Sequence, residues 1–154
     1  VYTFLDNVFT EVAELFPGEY IHFGGDEVVH RLWENEPHVQ VFMKEKGFEN
    51  VGQLQSYFVN RVAKIIIDKG KKPLGWSDIL KDAKSLDKNV AIMSWLGDVK
   101  TAADNELYIV AAPCGVLYLD ITQADRNDGT MTDLAYGQIN SMESIYNYDS
   151  VATM

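Results

Sequence analysis

The sequence is organised around the run His22-Phe23-Gly24-Gly25-Asp26-Glu27. Residues 20–23 are rich in types that favour strands, and the two glycines that follow interrupt the strand. Adjacent residues of a regular strand point to opposite faces. Asp26 and Glu27 can therefore share one site only if the backbone leaves strand geometry at Gly25-Asp26. Paired glycines permit that departure and let a ligand approach the backbone closely.

Helices and short strands alternate along the rest of the chain. Residues 1–16 carry apolar side chains three and four positions apart, as an amphipathic helix does, and Pro17-Gly18 ends the pattern. Residues 53–69 repeat the pattern and precede Gly70, a typical residue after a helix. The remaining segments are predicted strands near 72–76, 90–95 and 107–111 together with 116–119, and helix-compatible segments near 77–85 and 98–105. This order predicts an α/β fold with a parallel sheet.

Two parallel architectures fit this order, the open doubly wound sheet and the closed (β/α)8 barrel. A complete barrel has eight strands and typically about 250 residues, whereas this chain has 154 residues. A doubly wound domain would fit the length, but it usually carries a phosphate-binding glycine turn. Gly24-Gly25 is followed by two carboxylates, which have the wrong charge for phosphate. No linker or low-complexity segment divides residues 1–154, so a single unit without a second domain is predicted.

The chemically distinctive side chains fall just after the predicted strands. In chain order they are Asp26 and Glu27, then Trp76, then Trp95, and finally Tyr118 with Asp120. Because active sites of parallel α/β folds form at the carboxyl ends of strands, these positions predict one lined pocket. Aromatic walls with a few carboxylates suit a sugar, whose C–H faces stack on rings while its hydroxyls bond to carboxylates.

Each of these residues also has a purely structural interpretation. A single tryptophan at position 76 or 95 is more often part of a core than of a ligand wall. A single Asp-Glu pair usually marks a helix N-terminus, where negative charge complements the helix dipole. Core packing gives no reason, however, for the pattern to recur at successive strand ends. His22 is expected to be a packed, hydrogen-bonded residue behind the site rather than a catalyst.

Composition limits the partners of this chain. Its formal net charge of −10 repels a phosphate backbone, so nucleic acid is not an expected partner. No apolar stretch approaches the roughly 20 residues needed to span a bilayer. Cys114 is the only cysteine, so no internal disulfide can form, and its apolar neighbours predict a small buried thiol.

Two segments have spacings that suggest a metal site. Glu27-Val28-Val29-His30 has the spacing found in di-iron bundles, but those sites need a second copy and further glutamates. Residues 125–133 are acidic, yet Gly129 is one place early for a calcium loop, and Tyr136 stands where the closing glutamate belongs. No metal or other cofactor is expected.

Several landmarks occur in the order found in one enzyme family. The first is His22-x-Gly24-Gly25-Asp26-Glu27. The others are Trp33-Glu34-x-x-Pro37, the helix at Phe42-Met43, Gly75-Trp76 after Lys72-Pro73, Ser94-Trp95, Leu117-Tyr118-Leu119-Asp120 and Glu143-x-x-Tyr146-x-Tyr148-Asp149. Together they resemble glycoside hydrolase family 20, the β-N-acetylhexosaminidases, over nearly the whole chain. The resemblance implies a partial (β/α)8 TIM barrel, roughly strands four to seven with their helices.

The resemblance also implies an activity and a mechanism. Members remove terminal non-reducing β-linked N-acetylglucosamine or N-acetylgalactosamine with retention, and the substrate's own acetamido oxygen acts as the nucleophile. An oxazolinium intermediate results. Glu27 would be the general acid and later the base, and Asp26 would accept a hydrogen bond from the acetamido N–H.

The remaining site residues follow from the same resemblance. Tyr118 would donate a hydrogen bond to the acetamido oxygen, Trp76 and Trp95 would wall the acetamido pocket, and Asp120 would hold a sugar hydroxyl. Tyr136 stands where many members have a tryptophan of the wall, and His22 completes the set of substrate-side residues.

The implied partners are N-acetylhexosamine-containing glycans, in a secreted, periplasmic or lysosomal setting. The family's arginine for the outer sugar hydroxyls and its late Trp/Glu pair have no counterpart in this sequence, so the separate chain is expected to be inactive and to self-associate through exposed barrel edges. The alternative hypothesis is a non-catalytic carbohydrate-binding or structural derivative of the same fold.

Overall fold

The computed structural model describes residues 1–122 and 139–149, in which helices and strands alternate. The helices are α1 (Tyr2–Leu15), α2 (His30–Glu34), α3 (Pro37–Lys46), α4 (Val51–Ile67), α5 (Val99–Asp104), α6 (Cys114–Leu117) and α7 (Met142–Tyr146). The strands are β1 (Tyr20–His22), β2 (Lys72–Trp76), β3 (Ala91–Ser94) and β4 (Ile109–Ala111), and a 3₁₀ helix covers Ser77–Ser85.

The helix boundaries follow from local sequence. α4 begins after Asn50, whose side chain accepts a hydrogen bond of 3.1 Å from the backbone N–H of Gln53. α3 starts at Pro37, because the first turn of a helix has no use for the backbone N–H that proline lacks, and it is capped after Lys46 by Gly47 with φ +72°. The predicted helices at 1–16 and 53–69 are confirmed, whereas α2 is too short for a helical period to reveal it. Within the described residues, no helix combines the length and apolarity that crossing a bilayer requires.

The four strands form one parallel sheet in the order β1-β2-β3-β4, as predicted. The sheet is curved. In a flat sheet β1 and β4 would lie about 14 Å apart, three strand spacings. Instead the rings of Tyr20, in β1, and Tyr108, next to β4, stack with centroids 6.3 Å apart. This concave surface is the start of a barrel interior, which confirms the α/β barrel type; the numbering of the strands as four to seven stays a prediction.

The predicted strand at 116–119 is wrong. Val116 and Leu117 belong to α6, because the carbonyl of Pro113 accepts hydrogen bonds from the backbone N–H groups of both, at 3.1 and 2.9 Å. Proline fixes its own φ and favours this helical turn. Tyr118 therefore follows a helix rather than closing a strand. Cys114, the first residue of α6, is half-buried rather than buried.

The convex face of the sheet packs on the helices. The larger core cluster joins α4, the 3₁₀ helix, β3 and α5, and its buried members are Val59, Ala63, Ile79, Leu86, Val90, Ile92, Ala102 and Leu107. Burying one isoleucine or leucine side chain stabilises the fold by about 1.5–3 kcal/mol. A second cluster, formed by Ile21, Val62 and Ile66, fixes β1 on α4. The strand ends are thus held by one rigid layer.

A substitution at Gly75, inside β2, tests how tightly this layer is packed. A Cβ there would lie 2.6 Å from Cζ of Phe23 and 2.9 Å from Cδ1 of Ile79. We expect Gly75→Ala to lower the free energy of unfolding by about 1–3 kcal/mol, since both neighbours must move. Urea denaturation measures this. In the control Gly18→Ala the new methyl group meets nothing within 4 Å, and equal stability of the two variants would contradict the packing described.

Candidate active site

The backbone turns sharply after β1. Sheet pairing runs past the strand, because Phe23 N–H donates to the Leu74 carbonyl and Trp76 N–H donates to the Gly24 carbonyl, both at 2.9 Å. Gly24 and Gly25 then adopt φ of +79° and +97°, and Glu27 has φ of +51°. The predicted departure from strand geometry is confirmed. It begins at Gly24, one residue earlier than predicted, and it includes Glu27 itself.

The turn is held from the helix side by Gln55 of α4, a polar side chain that is 2% exposed. Its amide nitrogen donates to the Gly25 carbonyl at 3.3 Å, and its amide oxygen lies 2.8 Å from Nε2 of His30. Because the amide oxygen can only accept, Nε2 of His30 carries the proton. His30 therefore orients Gln55. Among residues 1–122 and 139–149, no group of three or more His, Cys, Asp or Glu side chains is arranged to hold a metal ion.

Gly25 itself leaves no room for a side chain. A Cβ at this position would lie 2.5 Å from Cγ2 of Ile79, which is fully buried. Ile79 thus supports the turn from below, while Asp26 and Glu27 stay exposed above it. The turn places two carboxylates side by side at the open end of the sheet.

Aromatic rings form a continuous row along this end. His22 meets Trp76 edge-on with ring centroids 4.8 Å apart, and Trp76 meets Trp95 in the same manner at 6.4 Å. The indole of Trp95 then stacks on Tyr118 at 6.3 Å, with an interplanar angle of 10°. Three of these side chains come from successive strand ends and the fourth follows α6. The structure therefore brings together four of the predicted site residues.

One site residue was missed by sequence reasoning. Asp78, in the first turn of the 3₁₀ helix, accepts a hydrogen bond from Glu27 N–H at 3.2 Å and another from Nε1 of Trp95 at 2.7 Å. It connects the carboxylate turn with the aromatic row. Its position, two residues after Trp76, was the available signal, but it lies in a segment that the sequence marked only as helix-compatible.

The two remaining predicted residues are less defined by the structure. Asp120 is exposed in the segment that follows Tyr118. Asn140 lies against α6, because its side-chain amide donates a hydrogen bond to the Val116 carbonyl at 2.6 Å. Tyr136 lies outside the described residues.

An apolar cavity of about 200 Å³ lies behind the turn, between α1 and α4. Its walls include Phe9, Phe23, Trp33 and Phe58, with Gln55 as a polar member. A sugar needs several hydrogen-bonding partners, and this cavity offers few. The carboxylates and the aromatic row on the other side of the turn are the better candidate site.

The catalytic-domain model of glycosyl hydrolase family 20 matches residues 1–154, the whole chain. The chain belongs to this family. The family 20 assignment agrees with the described geometry, in which the carboxylate turn and the row of rings meet at the carboxyl ends of parallel strands.

Relatives of known name support the same family. A β-hexosaminidase of Porphyromonas gingivalis is 35% identical over 152 residues, covering 97% of this chain and 19% of the relative. One from Vibrio furnissii is 33% identical over 150 residues, covering 96% of this chain and 24% of the relative. The chain thus spans less than a quarter of the length of either relative.

A solved structure shows the same fold. The family 20 exo-β-N-acetylglucosaminidase of Vibrio harveyi, in complex with N-acetylglucosamine, superposes with a TM-score of 0.80 at 30% sequence identity. The match covers 98% of this chain and 24% of that chain.

His22 gives the site a testable pH dependence. Its Nδ1 accepts a hydrogen bond from Gly24 N–H at 3.1 Å, which requires the neutral imidazole. Desolvation lowers the pKa of His22 below its ordinary value, while the charge of Asp26 acts in the opposite direction. A histidine whose pKa is lower in the folded state binds fewer protons there, so its contribution to stability is lost as the pH falls below about 6.5.

We expect His22→Asn to remove this contribution to the pH dependence while keeping the contact, because an asparagine oxygen can accept the same hydrogen bond from Gly24 N–H. The free energy of unfolding, measured by urea denaturation between pH 5 and pH 8, should fall less toward acid in this variant. His38→Asn, at an exposed position of α3, is the matched control. Identical profiles for the wild type and His22→Asn would show that His22 does not titrate in this way.

Proposed function

We propose that the protein containing this chain hydrolyses terminal non-reducing β-linked N-acetylhexosamine residues, GlcNAc or GalNAc, with retention and through an oxazolinium intermediate. The observation that carries this proposal is the meeting of the Asp26-Glu27 turn with the row of Trp76, Trp95 and Tyr118. Family membership and the β-hexosaminidase relatives support it. We also propose that residues 1–154 belong to a single catalytic barrel without a second domain.

The proposed reaction has two steps. In the first, the acetamido oxygen of the sugar attacks the anomeric carbon, the glycosidic C–O bond breaks, and Glu27 gives its proton to the leaving oxygen. In the second, Glu27 takes a proton from water, and the resulting hydroxide opens the oxazolinium ring at the same carbon. Two inversions give net retention. Mechanisms of this kind are known exceptions to the two-carboxylate scheme of glycosidases.

Asp26 acts on the substrate's nucleophile. Its carboxylate accepts a hydrogen bond from the acetamido N–H, which orients the group and stabilises the positive charge that develops on the oxazolinium ring. Tyr118 donates to the acetamido oxygen from the opposite side. Asp26 therefore supports the acetamido oxygen as the nucleophile and does not itself attack the anomeric carbon.

The aromatic row supplies the walls. Trp76 and Trp95 are half-buried and stand edge to face, so together they offer an apolar wall on which the acetamido methyl group can pack. Asp120 accepts a hydrogen bond from a sugar hydroxyl. A seated sugar excludes water from the exposed carboxylates of Asp26 and Glu27, which strengthens their interactions with it.

Self-association of the separate 154-residue chain stays a prediction. Apolar side chains on and just after α1 are exposed, with 69% for Phe4, 73% for Leu15 and 62% for Phe16. Exposed apolar patches of this kind drive association between copies.

The acid role of Glu27 is tested with the full-length protein on p-nitrophenyl N-acetyl-β-glucosaminide. We expect Glu27→Gln to lower kcat about 10²- to 10⁴-fold, because an amide cannot transfer the proton. Glu34→Gln, at an exposed position of α2, is the control and should retain wild-type turnover.

Undiminished turnover in Glu27→Gln would remove Glu27 from the acid role. If the wild-type protein binds N-acetylglucosamine-thiazoline, seen as quenching of tryptophan fluorescence, but hydrolyses no substrate, the non-catalytic binding alternative is correct.

A further inference from the structure

Asp78 touches two strand ends at once. One carboxylate oxygen, Oδ1, accepts the backbone N–H of Glu27 at 3.2 Å, and the other, Oδ2, accepts the indole N–H of Trp95 at 2.7 Å. Glu27 follows β1, Asp78 follows β2 and Trp95 follows β3. A single side chain therefore links the acid and the pocket wall.

We propose that Asp78 is a positioning residue for this acid, an inference that rests on the proposed function. Its carboxylate fixes the backbone of Glu27 and the ring of Trp95 in one common frame. The distance between the proton donor and the sugar seated on the indole is then set by one rigid group. Asp78 itself has no contact with substrate in this account and acts through Glu27 and Trp95.

Glu27 needs such support because of its backbone. A non-glycine residue with φ of +51° lies in the left-handed region, where its Cβ comes too close to the following carbonyl oxygen. The side chain of Glu27 is exposed, so packing does little to hold it, and the bond from its N–H to Asp78 ties the residue to the rest of the fold.

Asp78 is well placed to act as an anchor. Its neighbours Ser77 and Ile79 are 3% and 0% exposed. Ile79 also packs beneath Gly25 and Gly75, so the backbone at Asp78 is fixed on both sides. The carboxylate leaves this buried segment in one direction, between the turn and the indole.

The two bonds require a carboxylate. An aspartate side chain offers two acceptor oxygens and no donor, whereas an asparagine offers one acceptor and an NH₂ group. In Asp78→Asn one of the two N–H groups must therefore face another donor. The substitution keeps the size of the side chain and breaks one half of the bridge.

The experiment compares two substrates of the full-length protein. N,N′-diacetylchitobiose has a sugar leaving group that needs the proton from Glu27, and 2,4-dinitrophenyl N-acetyl-β-glucosaminide has one that needs almost none. We expect Asp78→Asn to lower kcat/KM on diacetylchitobiose about 100-fold, the loss typical of a misplaced catalytic group. On the dinitrophenyl substrate the loss in kcat/KM should stay below about 10-fold, because kcat/KM reports the first step only and little proton transfer is required there.

Two further variants sharpen the result. Asp104→Asn removes a carboxylate that pairs with Lys100 on the exposed surface of α5, and it should leave both rates unchanged. Trp95→Phe removes the indole donor, so the single oxygen of asparagine at position 78 can serve Glu27. In the Trp95→Phe background the extra loss from Asp78→Asn should therefore fall below about 10-fold on diacetylchitobiose, a non-additive effect expected of coupled residues.

The positioning role would be overturned by any of three results for Asp78→Asn. These are equal losses of rate on the two substrates, no loss on either substrate, and full additivity with Trp95→Phe. Failure of the proposed function looks different, since the wild-type protein would then hydrolyse neither substrate. In that case the bridge is tested by ¹⁹F NMR of 5-fluorotryptophan-labelled protein, with the Trp95 signal assigned through Trp95→Phe. An unchanged Trp95 signal in Asp78→Asn would contradict the bridge, and a shifted signal would support it.

Discussion

Ile79 fills the space between two glycines on neighbouring strand ends, and the site depends on that contact. A side chain at Gly25 or Gly75 would overlap it, so the turn after β1 and the end of β2 can approach only where both residues lack a Cβ. Ile79 is fully buried and belongs to the main core cluster. The energy of the core is thereby used to hold a left-handed turn that the chain would not adopt on its own.

This contact has two consequences. The turn places Asp26 and Glu27 at the open end of the sheet. The residue before Ile79 is Asp78, whose carboxylate accepts hydrogen bonds from both Glu27 and Trp95. One buried isoleucine thus supports the turn that carries Glu27, and its neighbour Asp78 connects that turn to the row of rings. Gln55 completes the support from the helix layer.

Sequence reasoning succeeded where residue type and position depend on local geometry. Trp76 and Trp95 could be grouped because parallel strands place their carboxyl ends on one edge, and the Gly24-Gly25 pair indicated a departure from strand geometry. Tyr118 also joins the group, although it follows a helix and not a strand. Asp78 was missed, since an aspartate in a polar segment has no pattern that distinguishes it from a surface residue. The strand at 116–119 was predicted from apolar composition alone, and the helical turn started by Pro113 outweighed it.

In the proposed mechanism the carboxylates serve a nucleophile carried by the substrate. This is tested by comparing kcat/KM of the full-length protein on p-nitrophenyl glucosaminides whose N-acyl group is acetyl or trifluoroacetyl. Fluorine withdraws electrons from the carbonyl oxygen and makes it a weaker nucleophile, so we expect kcat/KM to fall at least about 100-fold, or roughly 2.7 kcal/mol in the barrier. Equal values for the two substrates would contradict it and would point to attack by Asp26 itself.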